Sequence, residues 1–306
     1  MMDQPPMSLK EGCMIVLHYF GVFRYPLTGE EIHRFNPVGA TSEQVEETLK
    51  SMLAEGLIFS AYGYYLPTDE PDWIGERRQA NERALHLLER SKKYVAIIAA
   101  FPFVRGIAIS GSLSKFSASL HPDIDYFIIT EAHRLWIART FMHLFKKLTF
   151  ITGHQHYFCM NYYVDTDALV ITHQNMYSAI EVMTLLPVYN IMLFEKFFRD
   201  NGWACTYLPN HPGPVNYTYE WNGKDPACKK ILERMINWFN PGKLNRFFME
   251  LTDRKWRRKW KHSGYPMENY NQAFLTSIHI SKNHPMDYEK IVLGELKKKN
   301  ISENTP

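Results

Sequence analysis

The chain has 306 residues, of which 45% are hydrophobic and 22% charged, a composition typical of a globular protein large enough for two or three domains. Its net charge of +3 is too small to indicate a nucleic-acid-binding protein by itself. The four cysteines are widely spaced and form no Cys-x-x-Cys pair, which argues against a zinc site and a disulfide framework and suits a reducing compartment.

Neither a leader nor a membrane segment is predicted. The first residues, MMDQPPMSLKEG, show no basic segment followed by an apolar core. The most apolar stretch, YVAIIAAFPFVRGIAISG, is interrupted by Pro102 and Arg105, so its uninterrupted apolar part is too short for a transmembrane helix. We therefore expect a cytoplasmic protein with no membrane span.

Residues 1–68 are predicted to form a winged helix-turn-helix unit. Apolar residues at helical spacing indicate three helices, of which the second is capped by Thr28 and the third closes at Gly56. Two short strands that turn at Tyr62 and Gly63 complete the pattern.

The charge of this unit does not favour DNA as a partner. The third helix carries four glutamates against one lysine, and acidic residues repel the phosphates of a duplex. A packing or dimerisation role is favoured, so a homodimer stays open, and a DNA-binding regulator is the least favoured hypothesis.

The rest of the chain is divided into three segments, which makes the predicted fold class α+β. Residues 69–98 read as a charged connecting helix. Residues 99–175 alternate strand, short helix, strand, amphipathic helix and strand, a small mixed-sheet unit. Residues 176–306 are predicted to be a helical region.

Two acids interrupt the second strand of the mixed-sheet unit, DIDYFIIT. Asp123 and Asp125 are one residue apart, so strand alternation puts both carboxylates on one face. Burying ionised carboxylates is costly unless they are paired or hold a metal. Divalent ions would relieve their repulsion and stabilise the attacking and leaving oxygens of a phosphoryl transfer.

A glycine turn precedes these acids. Gly111 lets a phosphate approach the backbone, and Ser112 with the following helix start offers hydrogen-bond donors. Lys115, one turn later, would neutralise phosphate charge. The order of turn and acid pair is more specific than either motif alone.

Together these motifs resemble the nucleotidyltransferase superfamily that includes DNA polymerase β, whose signature is hG[GS] followed by DhDh. The matching residues here are Ser110-Gly111-Ser112 and Asp123-Ile124-Asp125-Tyr126. From about Arg78 to Asn210 the chain is similar to an uncharacterised bacterial branch of that superfamily, in PFVRGIAISGSL, in RLWIAR and in Cys159-Met160-Asn161-Tyr162. That branch often carries a winged-helix-like amino-terminal unit.

The resemblance implies Mg²⁺- or Mn²⁺-dependent transfer of a nucleoside monophosphate from an NTP to an acceptor hydroxyl, with release of pyrophosphate. It implies that Asp123 and Asp125 are catalytic and hold the metal. Gly111, Ser112 and Lys115 would bind the triphosphate.

The next strand departs from the family pattern, which usually places a third carboxylate there. Asn161 stands at mid-strand and offers an uncharged amide oxygen as a metal ligand. Asp165 is expected to lie too far along the strand, and Glu181 cannot be placed from the sequence. The alternative is therefore a catalytically weak nucleotide-binding or regulatory protein that retains the fold.

Several other residues allow two interpretations. His154 and His156 could bind a metal, although two histidines without a third ligand are more often ordinary surface residues. Arg134 and Arg139 would reach a triphosphate or pair with carboxylates. Trp136 is expected in the core rather than as a stacking platform.

A basic segment lies near the carboxyl terminus. Residues 224–261 contain twelve Lys and Arg against four acids, with Trp256 and Trp260 one helical turn apart. This pattern suits an RNA backbone with stacked bases or a membrane surface, or else a solvated helix face with buried tryptophans. The acceptor stays open among RNA, a small molecule and a protein hydroxyl, with RNA slightly favoured.

Overall fold

The computed structural model describes residues 7–151, 153–213, 219–283, 286 and 288–299. The fold is α+β, with helices packed around a five-stranded mixed sheet and a separate two-stranded antiparallel sheet near the amino terminus. No helix in these described ranges has the length and apolar character that crossing a membrane requires.

The first three helices begin at side-chain caps, of which the cap at Thr28 is predicted from the sequence. Ser8, Thr28 and Thr41 each accept a hydrogen bond from the backbone three residues later, and the side chain at that later position accepts one from the cap backbone. These reciprocal bonds satisfy amide groups that a helix start leaves unpaired. The helices are α1 (Leu9–Gly21), α2 (Gly29–Phe35) and α3 (Ser42–Ala54).

A hairpin follows these helices in the predicted order. Strand β1 (Phe59–Ala61) pairs with β2 (Tyr64–Leu66), and the two turn residues, Tyr62 and Gly63, have φ values of 53° and 81°. Two consecutive left-handed residues give the turn whose twist matches antiparallel strands. The glutamates of the first two turns of α3 are exposed, so its outer surface is acidic.

The central sheet is built from β3 (Val104–Ser110), β4 (Asp125–Thr130), β5 (Cys159–Asp165), β6 (Leu186–Tyr189) and β7 (Ile280–Lys282). Its strand order is β6-β3-β4-β5-β7. Among these strands β4 and β5 are parallel, and the other neighbours are antiparallel.

Helices cover both faces of this sheet, which explains why β3 and β4 read as nearly continuous apolar runs. The remaining helices are α4 (Asp72–Ala99), α5 (Leu135–Thr149), α6 (Met176–Met183), α7 (Ile191–Asp200), α8 (Ala204–Tyr207), α9 (Ala227–Trp238), α10 (Pro241–His262), α11 (Tyr270–Ala273) and α12 (Tyr288–Lys298). One apolar cluster joins Phe127 and Ile129 to α1, α2, α3, α6 and α7, and the other joins Tyr126 and Ile128 to α4 and α5.

The prediction that residues 176–306 are helical is wrong at two places. β6 and β7 arise from this region and form the two edges of the central sheet. Pro187 is tolerated in β6 because an edge strand needs hydrogen bonds on one side only. The sheet therefore takes strands from both sides of the boundary predicted at residue 175.

The predicted short helix after the glycine turn is also smaller than expected. Only a single 3₁₀ turn, Leu113–Lys115, forms there, and it ends at Phe116 with a left-handed φ of 56°. The turn after β3 is thus compact, which keeps Lys115 close to Gly111.

Candidate functional site

The glycine turn and the second acid of the pair are in direct contact. Ser110, the last residue of β3, pairs with Asp125, the first residue of β4. Gly111 has a left-handed φ of 67°, and a Cβ atom at this position would lie 2.7 Å from Oδ2 of Asp125. Glycine is therefore required here both for backbone conformation and for the close approach of the carboxylate.

The two aspartates are placed differently, so the prediction that both lie in the strand is wrong. β4 begins at Asp125, and Asp123 lies just before it, with its side chain 49% exposed. Oδ1 of Asp123 lies 2.6 Å from Nδ1 of His156. His156 thus contacts a carboxylate, whereas His154 packs near the ring of Tyr157.

The Asp125 carboxyl has an unusual acidity. Its pKa rises from an ordinary value of 3.8 to about 6, first because the group is buried and then because Asp123 and Glu181 repel its charge. Lys146 and a hydrogen bond from Asn161 oppose the rise. Perturbed carboxyl groups of this kind are concentrated at functional sites.

Asn161 occupies a β-bulge beside Asp125. The pairing of β4 with β5 runs from Tyr126–Met160 to Phe127–Tyr162, which leaves Asn161 without a partner residue on β4. Its Nδ2 donates a hydrogen bond of 2.7 Å to Oδ1 of Asp125. The predicted role as an oxygen ligand would need the amide to rotate so that its oxygen faces the aspartate.

Lys115 and Glu181 meet next to the turn. Lys115 Nζ lies 2.8 Å from Glu181 Oε1 and donates a 3.1 Å hydrogen bond to the carbonyl of Gly111. α6 therefore supplies the carboxylate that the sequence leaves unplaced, close enough to affect Asp125.

Sequence reasoning missed Lys146. This lysine is in the last turn of α5 and donates to the sulfur of Cys159 over 3.2 Å. It also lowers the pKa of Asp125, so it is a cation of this site. No short motif marks it, because its approach depends on how α5 packs against β5.

A cavity of about 610 Å³ opens on the turn, which is within the size range of small-molecule sites. The turn, Asp125, Lys115 and Glu181 line one part of it, and α1 and α4 contribute other walls. Within the described residues, neither Asp123 nor Asn161 belongs to this lining.

The donor chemistry fits magnesium only in combination with a ligand. Among the residues that the structure describes, no three His, Cys, Asp or Glu side chains converge to hold a metal ion. Mg²⁺ is, however, usually bound by one or two carboxylates together with substrate phosphates, and its preferred ligands are oxygens. Asp123, Asp125 and the oxygen of Asn161 match this requirement in type.

The other candidate residues lie elsewhere. Asp165 is at the opposite end of β5, paired with Thr130, as its distance along the strand predicts. Arg139 is buried, donates to Ser281 and lies against aromatic rings, while Arg134 donates to Asn237. Neither arginine lines the cavity, so the structure does not place them for a triphosphate. Trp136 is fully buried, as predicted.

The tryptophans of the basic helix face a small cluster of their own. Trp256 and Trp260 are half-buried against Phe274, with ring centroids 6.1 and 5.0 Å away. Most cations of α10 are exposed, and two of them, Arg257 and Lys259, lie over aromatic rings of this cluster. This arrangement agrees with the solvated helix face and its packed tryptophans, one of the three interpretations of the segment.

Comparisons with known proteins add no family to these observations. No family model, no curated protein and no solved structure matches the chain. The features that bear on function are therefore the turn, the acids and the cavity.

Proposed function

We propose that the chain is a metal-dependent nucleotidyltransferase that moves a nucleoside monophosphate from an NTP to an acceptor hydroxyl. The observation that carries this proposal is the contact between Gly111 and the Asp125 carboxylate in the lining of one cavity. A backbone turn suited to phosphate and an acid suited to a cation thereby face the same ligand.

The turn residues have distinct roles in this proposal. Gly111 allows the polyphosphate to come close to the backbone. The hydroxyl of Ser112, which is exposed, donates a hydrogen bond to a phosphate oxygen. Lys115 exchanges part of its contact with Glu181 for the negative charge of the triphosphate.

The acidic residues have two roles in this proposal, metal binding and acceptance of a proton. Asp123 and Asp125, with Asn161, would hold Mg²⁺, which neutralises charge on the phosphates of a bound nucleotide. The acceptor oxygen bonds to the α-phosphorus, the bond from that phosphorus to the oxygen bridging the α- and β-phosphates breaks, and pyrophosphate leaves. Glu181 lines the cavity and accepts the proton of the acceptor hydroxyl.

The amino-terminal region has a structural role at the site in this proposal and does not bind a DNA duplex. We propose that its three helices and hairpin are a winged-helix-like unit, and that its role is packing, because α1 lines the cavity and α3 presents glutamates to solvent.

A specific observation favours a second candidate function. Asn161 takes the place next to Asp125 and gives it a hydrogen bond without adding negative charge, and Lys115 is already paired with Glu181. A protein with these features would bind nucleotide and transfer it slowly or not at all, as a regulatory protein does.

Labelling separates the two functions. The protein is incubated with α-labelled NTPs, Mg²⁺ or Mn²⁺ and cell extract, and labelled products are separated from free nucleotide. Transfer that disappears in Asp123→Ala and Asp125→Ala supports the enzyme. Nucleotide binding without transfer under either metal supports the regulatory protein and contradicts the enzyme.

A further inference from the structure

The cavity extends well beyond the glycine turn. Its walls include Tyr19 and Phe20 of α1, Phe23 in the turn after that helix and the inner side of α4, together with Phe127 and Tyr162 of the sheet. Residues of the predicted winged-helix-like unit therefore form one part of the cavity lining. That part is largely aromatic, which suits an apolar ligand body.

Of the five Lys and Arg side chains in the described cavity lining, three are paired with carboxylates. The pairs are Arg77 with Glu31 at 2.7 Å, Lys115 with Glu181 at 2.8 Å and Lys282 with Glu289 at 3.3 Å. Of the other two, Arg83 donates to the carbonyl of Ala118 and Arg24 is exposed. A groove that follows a nucleic-acid backbone needs free cations along its length. The walls described here do not provide such a series.

The basic helix is separate from the cavity. Of the described residues of α10, none lines it, and Trp256 and Trp260 pack against Phe274 rather than towards the turn. The surface best suited to RNA by charge therefore does not lead into the site.

Tyr19 provides a polar group for a ligand in the aromatic part. It lines the cavity and is 1% exposed, and no described residue forms a hydrogen bond with its hydroxyl. The pKa of this hydroxyl is raised by burial and by the nearby charge of Glu181. A buried hydroxyl without a partner costs free energy, which a ligand with a suitable polar group would recover.

We infer that the acceptor is a small molecule with an apolar body and a hydroxyl group, bound between α1, α4 and the sheet, and that Tyr19 contributes to its recognition. This inference rests on the proposed function. The acceptor oxygen forms the new bond to the α-phosphorus, the bond to the bridging oxygen of the leaving pyrophosphate breaks, and the hydroxyl proton passes to Glu181.

A filled cavity tests the inference. Ala80→Trp places an indole in the cavity from α4, and Ala96→Trp is the matched control, since Ala96 is half-buried on the same helix outside the cavity. Each protein receives α-labelled NTPs and Mg²⁺ with either a low-molecular-mass cell extract or total RNA.

The expected result is label in a small-molecule product, lost in Ala80→Trp and kept in Ala96→Trp. Label in RNA would overturn the small-molecule inference and leave the proposed function standing. Label transferred to neither fraction nor to protein would overturn both.

A milder substitution covers the case in which Ala80→Trp does not fold. Tyr19→Phe removes only the hydroxyl, and Tyr94→Phe is its control, because Tyr94 also has a buried hydroxyl without a described partner but does not line the cavity. At subsaturating extract, we expect transfer to fall about three- to tenfold in Tyr19→Phe and to stay unchanged in Tyr94→Phe. Equal transfer by both variants contradicts a role for Tyr19.

Discussion

Each end of the parallel strand pair β4–β5 carries an aspartate, fully buried at Asp165 and half-buried at Asp125, and the two carboxylates have opposite surroundings. Asp165 is fully buried and accepts hydrogen bonds from the backbone amides of His133 and Asp167, and its Oδ2 lies 2.8 Å from Nδ1 of His279. Asp125 receives one described hydrogen bond, from Asn161, and faces the charges of Asp123 and Glu181.

This difference separates an acid that stabilises the fold from one that stores unfavourable electrostatic energy. Buried charges are stable when donors surround them, as at Asp165. A buried acid held among like charges indicates a site that binds something positive. Position at an end of the strand pair alone would not have distinguished the two acids.

The largest expected effect is on nucleotide transfer and concerns the Asp125 end of the strand pair. Asp125→Ala and Asp123→Ala should each reduce nucleotide transfer by about 10³-fold, because the metal loses a carboxylate ligand. Transfer is measured with α-labelled NTP. Asp167→Ala is the control, since this acid is half-exposed at the other end of the sheet. Transfer as fast as in the unchanged protein would rule out the assigned metal site.

The second effect concerns the Asp165 end and stability rather than transfer. Asp165→Ala removes the acceptor of two backbone amides and should lower the free energy of unfolding by about 4 kcal/mol. Urea unfolding followed by circular dichroism measures the change. Asp165→Asn keeps an acceptor oxygen and should lose less. An unchanged free energy of unfolding in Asp165→Ala would show that the stability of this end does not depend on its acid.

A third prediction uses the raised pKa of Asp125 in metal-free protein. The folded pKa of about 6 lies above the ordinary value of 3.8, so ionisation destabilises the folded state as pH rises through this window. Asp125→Asn avoids this cost and should be more stable by about 2 kcal/mol above pH 6, with no difference below about pH 4. Urea unfolding with a chelator present, at the two pH values, makes the measurement. If the stability advantage of Asp125→Asn over the unchanged protein instead grew as the pH fell, the raised pKa of Asp125 would be contradicted.

The smallest expected effect tests the contact between the glycine turn and Asp125. Gly111→Ala and Gly56→Ala both place a Cβ on a left-handed residue, with φ of 67° and 70°, which costs about 1 kcal/mol each. Gly56 has open space around it, whereas Gly111 meets Asp125. We expect the Gly111 variant to lose a further amount of about 1 kcal/mol and to weaken nucleotide binding, measured by calorimetry. Equal losses without a change in binding would mean that the contact is not important.

The parts of the fold that depend on local chemistry are predictable from the sequence. The caps at Thr28 and Thr41, the turn at Tyr62 and Gly63 and the strand before Gly111 are all encoded within a few residues. The acid pair and the glycine turn are close in sequence and meet through one hairpin-like pairing of β3 with β4. Their proximity could therefore be inferred.

The rest depends on contacts between distant residues. β6 and β7 are only four and three residues long, and pairing with the sheet, rather than their own pattern, makes them strands. Glu181 and Tyr19 reach the cavity on helices whose orientation the sequence does not state. The bulge at Asn161 likewise exists only in the register of two paired strands.

The strand order has a consequence for synthesis of the protein on the ribosome. The three inner strands emerge first, and β7, which covers the outer edge of β5, emerges more than a hundred residues later. Until then, β5 exposes unpaired backbone groups of the kind that recruit other chains. A nascent chain of this protein therefore passes through a long interval in which its sheet is open on one side, and translation speed over that interval should affect its yield.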